Sequence, residues 1–340
     1  MNLEQNANAP VWTANRPKGK EKFQEVWFVK LNDLAGSRAL WLRFTLLVTK
    51  NGFQRIAETW AIFSQREPGK EILKSAVKQS FGIASFSSFP NGIKIESCTL
   101  GIDHTQGQIQ SKGKSIQWDL AINTVHSEPV NFLPQIARKI GLFQTQISTI
   151  SEEILFSGTV TVDGVTHEFK NAPGSKSHWS GERSADSWVW GQANVFKNEQ
   201  GEPTPFIFEG ITARPRFGGN LKGPKLSSFY FFYKEKHYLF DSAWDAFQLK
   251  SESSITEWRF QAERADISFR GVAKADHRDF AGVTLEDTDG SFLYCANSKL
   301  SNLQILVYRR GKLEATVNAA GTAAFEVVSR TKNPYVQELI

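Results

Sequence analysis

Cysteine is nearly absent: Cys98 and Cys295 are the only two in 340 residues. They stand far apart and no C-x-x-C pair exists, which excludes a disulfide-stapled small domain and a cysteine-based zinc fold. No stretch approaches the ~20 consecutive apolar residues of a membrane-spanning helix. The first ten residues are polar and lack the apolar core of a secretory leader, so the expected location is cytoplasmic, with at most peripheral membrane contact. A one-signed charge excess is missing too. Forty basic residues face 35 acidic ones, a net of +5, and the tight run Arg16, Lys18, Lys20, Lys22 is broken by Glu21. Nucleic-acid binders concentrate charge on one face, so no nucleic-acid partner is expected.

Two catalytic signatures are also wanting. The Gly-rich stretch Arg214–Gly223 lacks the Gly-Lys-Ser/Thr ending of a phosphate loop and reads as a connection between strands. No Gly-x-Ser-x-Gly elbow occurs, which excludes hydrolases of that design. His104 and His126 look isolated, and His237 and His277 have no partner at zinc-ligand spacing. His167, opposite Val160 in a hairpin, reads as a core histidine. Neither a metal nor a cofactor is expected.

Aromatic residues are what the chain has in surplus: 10 Trp and 26 Phe. Flat rings suit pleated sheets and the walls of apolar pockets. From Glu25 onward the chain reads as short strands separated by turns. Glu25–Leu31, Ala39–Val48 and Phe53–Ser64 come first, with Asn51-Gly52 as a two-residue hairpin turn. Ile116, Trp118, Leu120 and Ile122 alternate with polar residues, and Asp163-Gly164 closes a second hairpin. The later half continues with Phe206–Arg214, Ser227–Tyr233, His237–Asp241, Glu257–Phe269, Ala281–Glu286, Phe292–Asn297, Leu303–Arg309 and Ala323–Ser329. One helix is expected: Phe132, Leu133, Ile136, Ala137 and Ile140 recur at spacings of three and four. It either plugs a barrel mouth or packs on a sheet. The expected class is all-β, with two consecutive antiparallel barrels or sandwiches. A loose arm covers 1–20, a first domain 21–197 and a second 198–340, with Asn198–Pro203 as the connecting turn.

A two-residue turn at Asn51-Gly52 sets Arg43 opposite Trp60 and Thr45 opposite Glu58. Trp41, Arg43, Glu58 and Trp60 then share one face, and Glu25 shares a face with Trp27. Charges on aromatic faces are tolerable when paired. The face is therefore either an ion-pair network closing a barrel or a polar anchor within an apolar pocket.

The densest chemistry lies between His178 and Asn194. Alternation from Asp186 puts Asp186, Trp188, Trp190, Gln192 and Asn194 on one side, an aromatic wall with a few hydrogen-bonding groups. Ser187, Val189, Gly191, Ala193 and Val195 make a small-residue side suited to close packing. His178 is placed to transfer a proton and Arg183 to bind an anion or stack on an indole; the alternative is that both only cap loops.

The run Gly-Ser-Lys-Ser-His-Trp-Ser-Gly-Glu-Arg ending at Arg183, followed by Trp188-Val-Trp190 and Asn194-Val-Phe196, resembles the centre of the two-domain lipocalin-like superfamily. That group includes tocopherol cyclases, carotenoid 1,2-hydratases, AttH-like proteins and related fungal cyclases. Glu25-Val-Trp27, Ala39-Leu-Trp41-Leu-Arg43, Glu58-Thr-Trp60, Phe156-Ser-Gly158 and Asp163-Gly164 are similar to its earlier strands, so the likeness spans about residues 20–200. It implies two lipocalin-like β-domains and a pocket for a prenyl-like, polyene or lipid-like molecule, often with proton-driven cyclisation or hydration. Hydratase-like members carry Tyr-x-Asp just before the histidine, where this chain has Ser175 and Ser177. A serine hydroxyl is too weak an acid to protonate an alkene, so His178, Glu58 or Asp186 is left as the proton carrier. Trp27, Trp41, Arg43, Trp60, Trp179, Arg183, Trp188, Trp190, Gln192 and Asn194 would line the ligand. The expected function is a cofactor-independent cyclase, isomerase or hydratase acting on a hydrophobic small molecule, as a monomer or weak dimer. A non-catalytic lipid or pigment carrier, and more distantly an interaction scaffold, are the alternatives.

Overall fold

The computed structural model describes residues 7–12, 22–126, 128–133, 145–182, 185–217, 221–242, 245 and 248–340. These form two large antiparallel sheets. Across the first, the strands run Leu73–Gly82, Arg55–Gln65, Arg38–Val48, Phe23–Asn32, Val165–Gly181, Thr145–Val162, Lys114–His126, His104–Ser111, Cys98–Gly101, Gly92–Ile95 and Phe86–Phe89. The second follows the order Lys236–Phe240, Leu226–Tyr233, Phe206–Pro215, Ala185–Ala193, Lys312–Ser329, Phe292–Arg309, Ile267–Lys274, Glu257–Arg264 and Lys250–Ser253. The expected all-β, two-unit class is the observed one. Sequence-neighbouring strands mostly pair with each other, as short hairpin links dictate. The changeover between sheets falls between Gly181 and Ala185, ahead of the 197/198 boundary placed at the Asn198–Pro203 turn. Asn198–Pro203 instead turns a small hairpin joining Phe196–Lys197 to Pro203–Thr204.

Each sheet curls around its own core. Trp27, Leu42, Phe44, Phe63, Ile93, Leu100, Trp118 and Phe156 fill the first. Phe208, Phe229, Phe231, Trp258, Phe260 and Phe269 fill the second, with Phe208 stacked on Phe260 at 4.6 Å. Gly271 makes that stack fit, because a Cβ there would lie 2.0 Å from the Phe260 ring. A third apolar cluster joins the two sheets: Val26, Phe28, Trp41 and Trp60 from the first meet Trp188, Trp190, Ile211 and Val283 from the second. This seam explains why Phe23–Asn32, FQEVWFVKLN, is buried at every position. One face of the strand covers a core and the other covers the partner sheet.

Several local expectations need correction. The first hairpin keeps its expected register, with Arg43 opposite Trp60 and Thr45 opposite Glu58, but it does not turn in two residues. Pairing stops at Val48 and Arg55, and a 3-10 turn at Lys50–Gly52 bridges them. Thr49 Oγ1 accepts from Gln54 N–H at 2.9 Å, holding the wider loop. Lys50 N–H donates to Thr288 O at 2.8 Å, which ties the loop to the second half. Glu257–Phe269 is a hairpin rather than one strand, turning where Ala265 adopts φ +53°. Phe292–Asn297 and Leu303–Arg309 are one 18-residue strand with bulges near Ser298 and Ser301. His167 lies opposite Val160 but is half-exposed, stacked on Phe63 at 4.6 Å. His104 is not isolated, since Nε2 lies 2.7 Å from Asp119. Of the expected helix, residues 134–140 lie outside the described residues, as do 1–6 and 13–20 of the arm.

Candidate functional site

The adjacent strands Phe23–Asn32 and Val165–Gly181 position the chemistry. Their register pairs Val26 with Trp179, Trp27 with His178, Phe28 with Ser177 and Lys30 with Ser175. Paired residues share a face. Glu25, Trp27, Val29 and His178 therefore point into the first core, while Val26, Phe28, Lys30, Ser175, Ser177 and Trp179 point at the seam.

His178 and Glu25 form a buried pair at the rim of the first core. Glu25 accepts from His178 Nε2 at 2.8 Å, from Val11 N–H at 2.7 Å and from Trp12 N–H at 2.8 Å. His178 Nδ1 lies 2.8 Å from Ala7 O, and Trp27 Nε1 donates to Asn8 O at 3.1 Å. The imidazole stacks on Trp27 with centroids 4.8 Å apart. Both ring nitrogens face oxygen acceptors, and residues 7–12 close over them. His178 and the Arg43, Glu58 and Trp60 group lie on opposite faces of the sheet, so these expected site residues are not brought together.

The seam face holds open space. A cavity of about 120 Å³ is lined by Val26, Phe132, Leu133, Ile147, Trp179, Trp188, Ile211 and Leu226, with Gln24, Ser180, Ser227 and Ser228 as polar edges. None of its described lining residues is titratable. Through Val26, Trp179 and Trp188 it adjoins a smaller chamber of about 30 Å³, where Trp41 and Phe28 meet Arg43, Asn297 and Glu326. The indole N–H groups of Trp41 and Trp179 are buried without a hydrogen-bond partner, two donors beside apolar space. A roomier cleft of about 430 Å³ under the C-terminal segment mixes Ile255, Val283, Val327 and Val336 with Ser253, Thr284, Lys332 and Glu338. Its wall carries charged and hydroxyl groups that the seam cavity lacks or has only at its edge, so an apolar ligand gains less per unit of wall there.

Beneath the seam cavity lies a polar cluster in which the expected Trp190, Gln192 and Asn194 meet charged residues that sequence reading missed, Lys30, Glu152 and Glu209. One rung below Ile147 and Trp179, Ser177 Oγ and Thr149 Oγ1 are 3.0 Å apart, and Thr149 donates to Glu209 Oε2 at 2.6 Å. Trp190 Nε1 donates to Glu209 Oε1 at 2.7 Å. Gln192 Nε2 donates to Glu152 Oε2 at 3.0 Å, and Asn194 Nδ2 reaches the carbonyls of Glu152 and Gly174 at 2.9 Å. Burial, then the charge of Glu209, pushes the Glu152 carboxyl well above the ordinary carboxylate range. Lys30, fully buried and donating to Thr322 O at 3.1 Å, is pulled down to about 7 by burial and by Lys299. Lys299 donates to Glu326 at 2.6 Å and lies 5.3 Å from the ring centroids of both Trp41 and Trp190. The available signal was a single charge interrupting an apolar strand: Lys30 in WFVKLN, Glu209 in FIFEGI, Glu326 in AAFEVV.

The other expected residues divide between wall and frame. Trp41, Arg43, Trp179 and Trp188 line the seam space. Trp60 sits between two cations, Arg43 at 5.0 Å and Lys78 at 4.5 Å, and donates to Glu58 at 3.1 Å. Glu58 also accepts from Ser80 and pairs with Lys78 at 3.1 Å, which makes this group a closed network. The expected alternation holds in Ala185–Ala193: Trp188 and Trp190 join the seam cluster, whereas Val189 and Ala193 pack in the second core. Gln192, Asn194 and Trp190 bind the two sheets to each other. Asp186 pairs with Lys222 at 3.1 Å, and Arg183 lies outside the described residues.

No family model matches the chain, and no curated protein matches it in sequence. Solved structures do match in shape. A Nitrosomonas europaea protein provisionally named AttH superposes with a TM-score of 0.52 at 10% identity, covering 95% of this chain and 98% of that one. Kievitone hydratase from Nectria haematococca gives a TM-score of 0.51 at 11% identity, covering 96% and 95%. The match extends over both sheets, so the fold implied by the sequence resemblance is the fold the chain has.

Proposed function

We propose that this protein binds a hydrophobic small molecule in the seam and catalyses a cofactor-independent proton-transfer reaction on it: hydration, cyclisation or isomerisation. The observation that carries the reading is the apolar cavity joined to a chamber with Arg43, Asn297 and Glu326 at its end. A cavity near 120 Å³ matches one aromatic ring or one prenyl unit, since about 150 Å³ of apolar space holds benzene. The ligand would seat such a group against Trp179, Trp188 and Ile211. Its polar end would meet the indole N–H groups and Arg43, while the indole faces would steady a developing cation. The carboxyl that Ser177 lacks would come from the other sheet: Ser177, Thr149 and Glu209 form a buried hydrogen-bonded line one rung below the cavity wall, ending at the Glu152–Glu209 pair. Glu152, whose carboxyl burial and the charge of Glu209 push well above the ordinary carboxylate range, would be the proton source of that line. That one similar structure is named as a hydratase supports this class of chemistry. A carrier is the second reading, favoured by the absence of titratable groups from the described wall of the 120 Å³ seam cavity.

Tryptophan fluorescence during titration with farnesol tests the pocket. Ile211→Trp, which fills the cavity, is expected to weaken binding at least tenfold, about 1.4 kcal/mol, whereas Glu209→Gln leaves it within about twofold. Equal affinity in Ile211→Trp would remove the pocket from the account. Mass spectrometry of the compound co-purifying with the protein then separates the readings: turnover lost in Glu209→Gln marks an enzyme, and a compound recovered unchanged marks a carrier.

A further inference from the structure

His126 and His237, which have no partners in sequence, come together in space. His126 ends the strand Lys114–His126 of the first sheet, and its carbonyl accepts from Ser151 Oγ. His237 belongs to Lys236–Phe240, an outer strand of the second sheet. Glu128 lies between them: its Oε2 is 3.6 Å from His126 Nε2 and 3.8 Å from His237 Nε2. One ligand atom from each of the three lies within 4.8 Å of the others. Donors bound to a tetrahedral zinc at about 2.0–2.1 Å stand roughly 3.3–3.4 Å apart, so both His–Glu distances are within a few tenths of an ångström of that spacing. Rotation of the exposed imidazoles would bring their nitrogens, which lie within 4.8 Å of each other, onto it. The two rings stack at 5.9 Å with 26° between their planes. His237 Nδ1 is 2.8 Å from the Tyr230 hydroxyl. When Nδ1–H donates to that oxygen, Nε2 carries the lone pair toward Glu128, the outer-shell arrangement usual for metal-bound histidine.

We propose that His126, Glu128 and His237 form a site for a divalent transition-metal cation of the zinc type, held across the two sheets. Two imidazoles and one carboxylate suit zinc, cobalt or nickel better than the all-oxygen preference of calcium or magnesium. Three protein ligands leave a fourth position for water. Because the ligands come from both halves, the cation would act as a clamp at one end of the seam. All three side chains are exposed, so they are accessible and their substitution leaves the cores intact. Without a cation the same groups make only a surface ion-pair cluster, worth little.

Isothermal titration of the full chain with ZnCl2 is expected to show one saturable site, and with CoCl2 a visible absorption band of a tetrahedral or five-coordinate ion. His126→Ala and His237→Ala each lower zinc affinity at least tenfold, and Glu128→Gln does so while preserving shape. Zinc raises the melting temperature of the wild type and not of the double histidine variant, whose metal-free melting matches the wild type. Absence of saturable binding, or binding that survives both histidine substitutions, overturns the proposal.

Discussion

The strands Phe23–Asn32 and Val165–Gly181 present two faces that differ in what closes them. On the inner face, Glu25, Trp27 and His178 are satisfied by Ala7, Asn8, Val11 and Trp12, and every polar contact ends within the protein. On the outer face, Val26 and Trp179 border open apolar space, and the Trp179 indole N–H has no partner. Residues adjacent in sequence, His178 and Trp179, therefore serve opposite ends. The more reactive side chain is fixed in a closed frame, and the duller one borders the cavity. Residue type alone is a poor guide to a site on a β-strand; the face decides.

Breaking the inner face is expected to have the largest effect. Glu25→Ala leaves the buried His178 imidazole and the part-buried N–H groups of Val11 and Trp12 without their acceptor, a cost of about 3–5 kcal/mol. Urea denaturation should show that loss while farnesol affinity, measured under folded conditions, stays within about twofold. A large loss of affinity in a folded Glu25→Ala protein would mean that the two faces are not separate. The polar layer under the outer face gives a smaller, pH-dependent effect. Lys30 has a folded pKa of about 7 against an ordinary 10.5, so between those values the unfolded chain binds the extra proton and stability rises with pH. Below about 7 the penalty is fully present, and above 10.5 it is gone. Lys30→Met should remove that rise, on the order of a few kcal/mol across the window. Parallel stability profiles of the two proteins between pH 7 and 10 would contradict this assignment.

Much of the fold was legible because alternation is robust. The register of the first hairpin emerged correctly from a turn of the wrong type, since the six-residue link Thr49–Gln54 preserves the same pairing as a two-residue turn would. The wall from Trp188 to Asn194 was read with its sides correct. What alternation could not carry was the relation of His178 to that wall. The chain leaves one sheet after Gly181 and enters the other at Ala185, and the alternation resets there: Trp179 and Trp188 face the same cavity despite their odd separation. The Glu152–Glu209 layer, and the meeting of His126 and Glu128 with His237, join segments distant in sequence and on different sheets, so a lone charge in an apolar strand marks a member but no local pattern shows its partner. The hairpin at Ala265 escaped because neither Gly, Pro nor Asn stands at that turn.

Photolabelling tests the central claim most directly. A farnesol analogue bearing a diazirine on its terminal isoprene unit, irradiated on the full chain and mapped residue by residue, should mark Ile147, Ile211 and Leu226 on the seam. Labelling of Leu42, Ile93 or Leu100 in the first core instead would contradict the account and return the ligand to the face of His178.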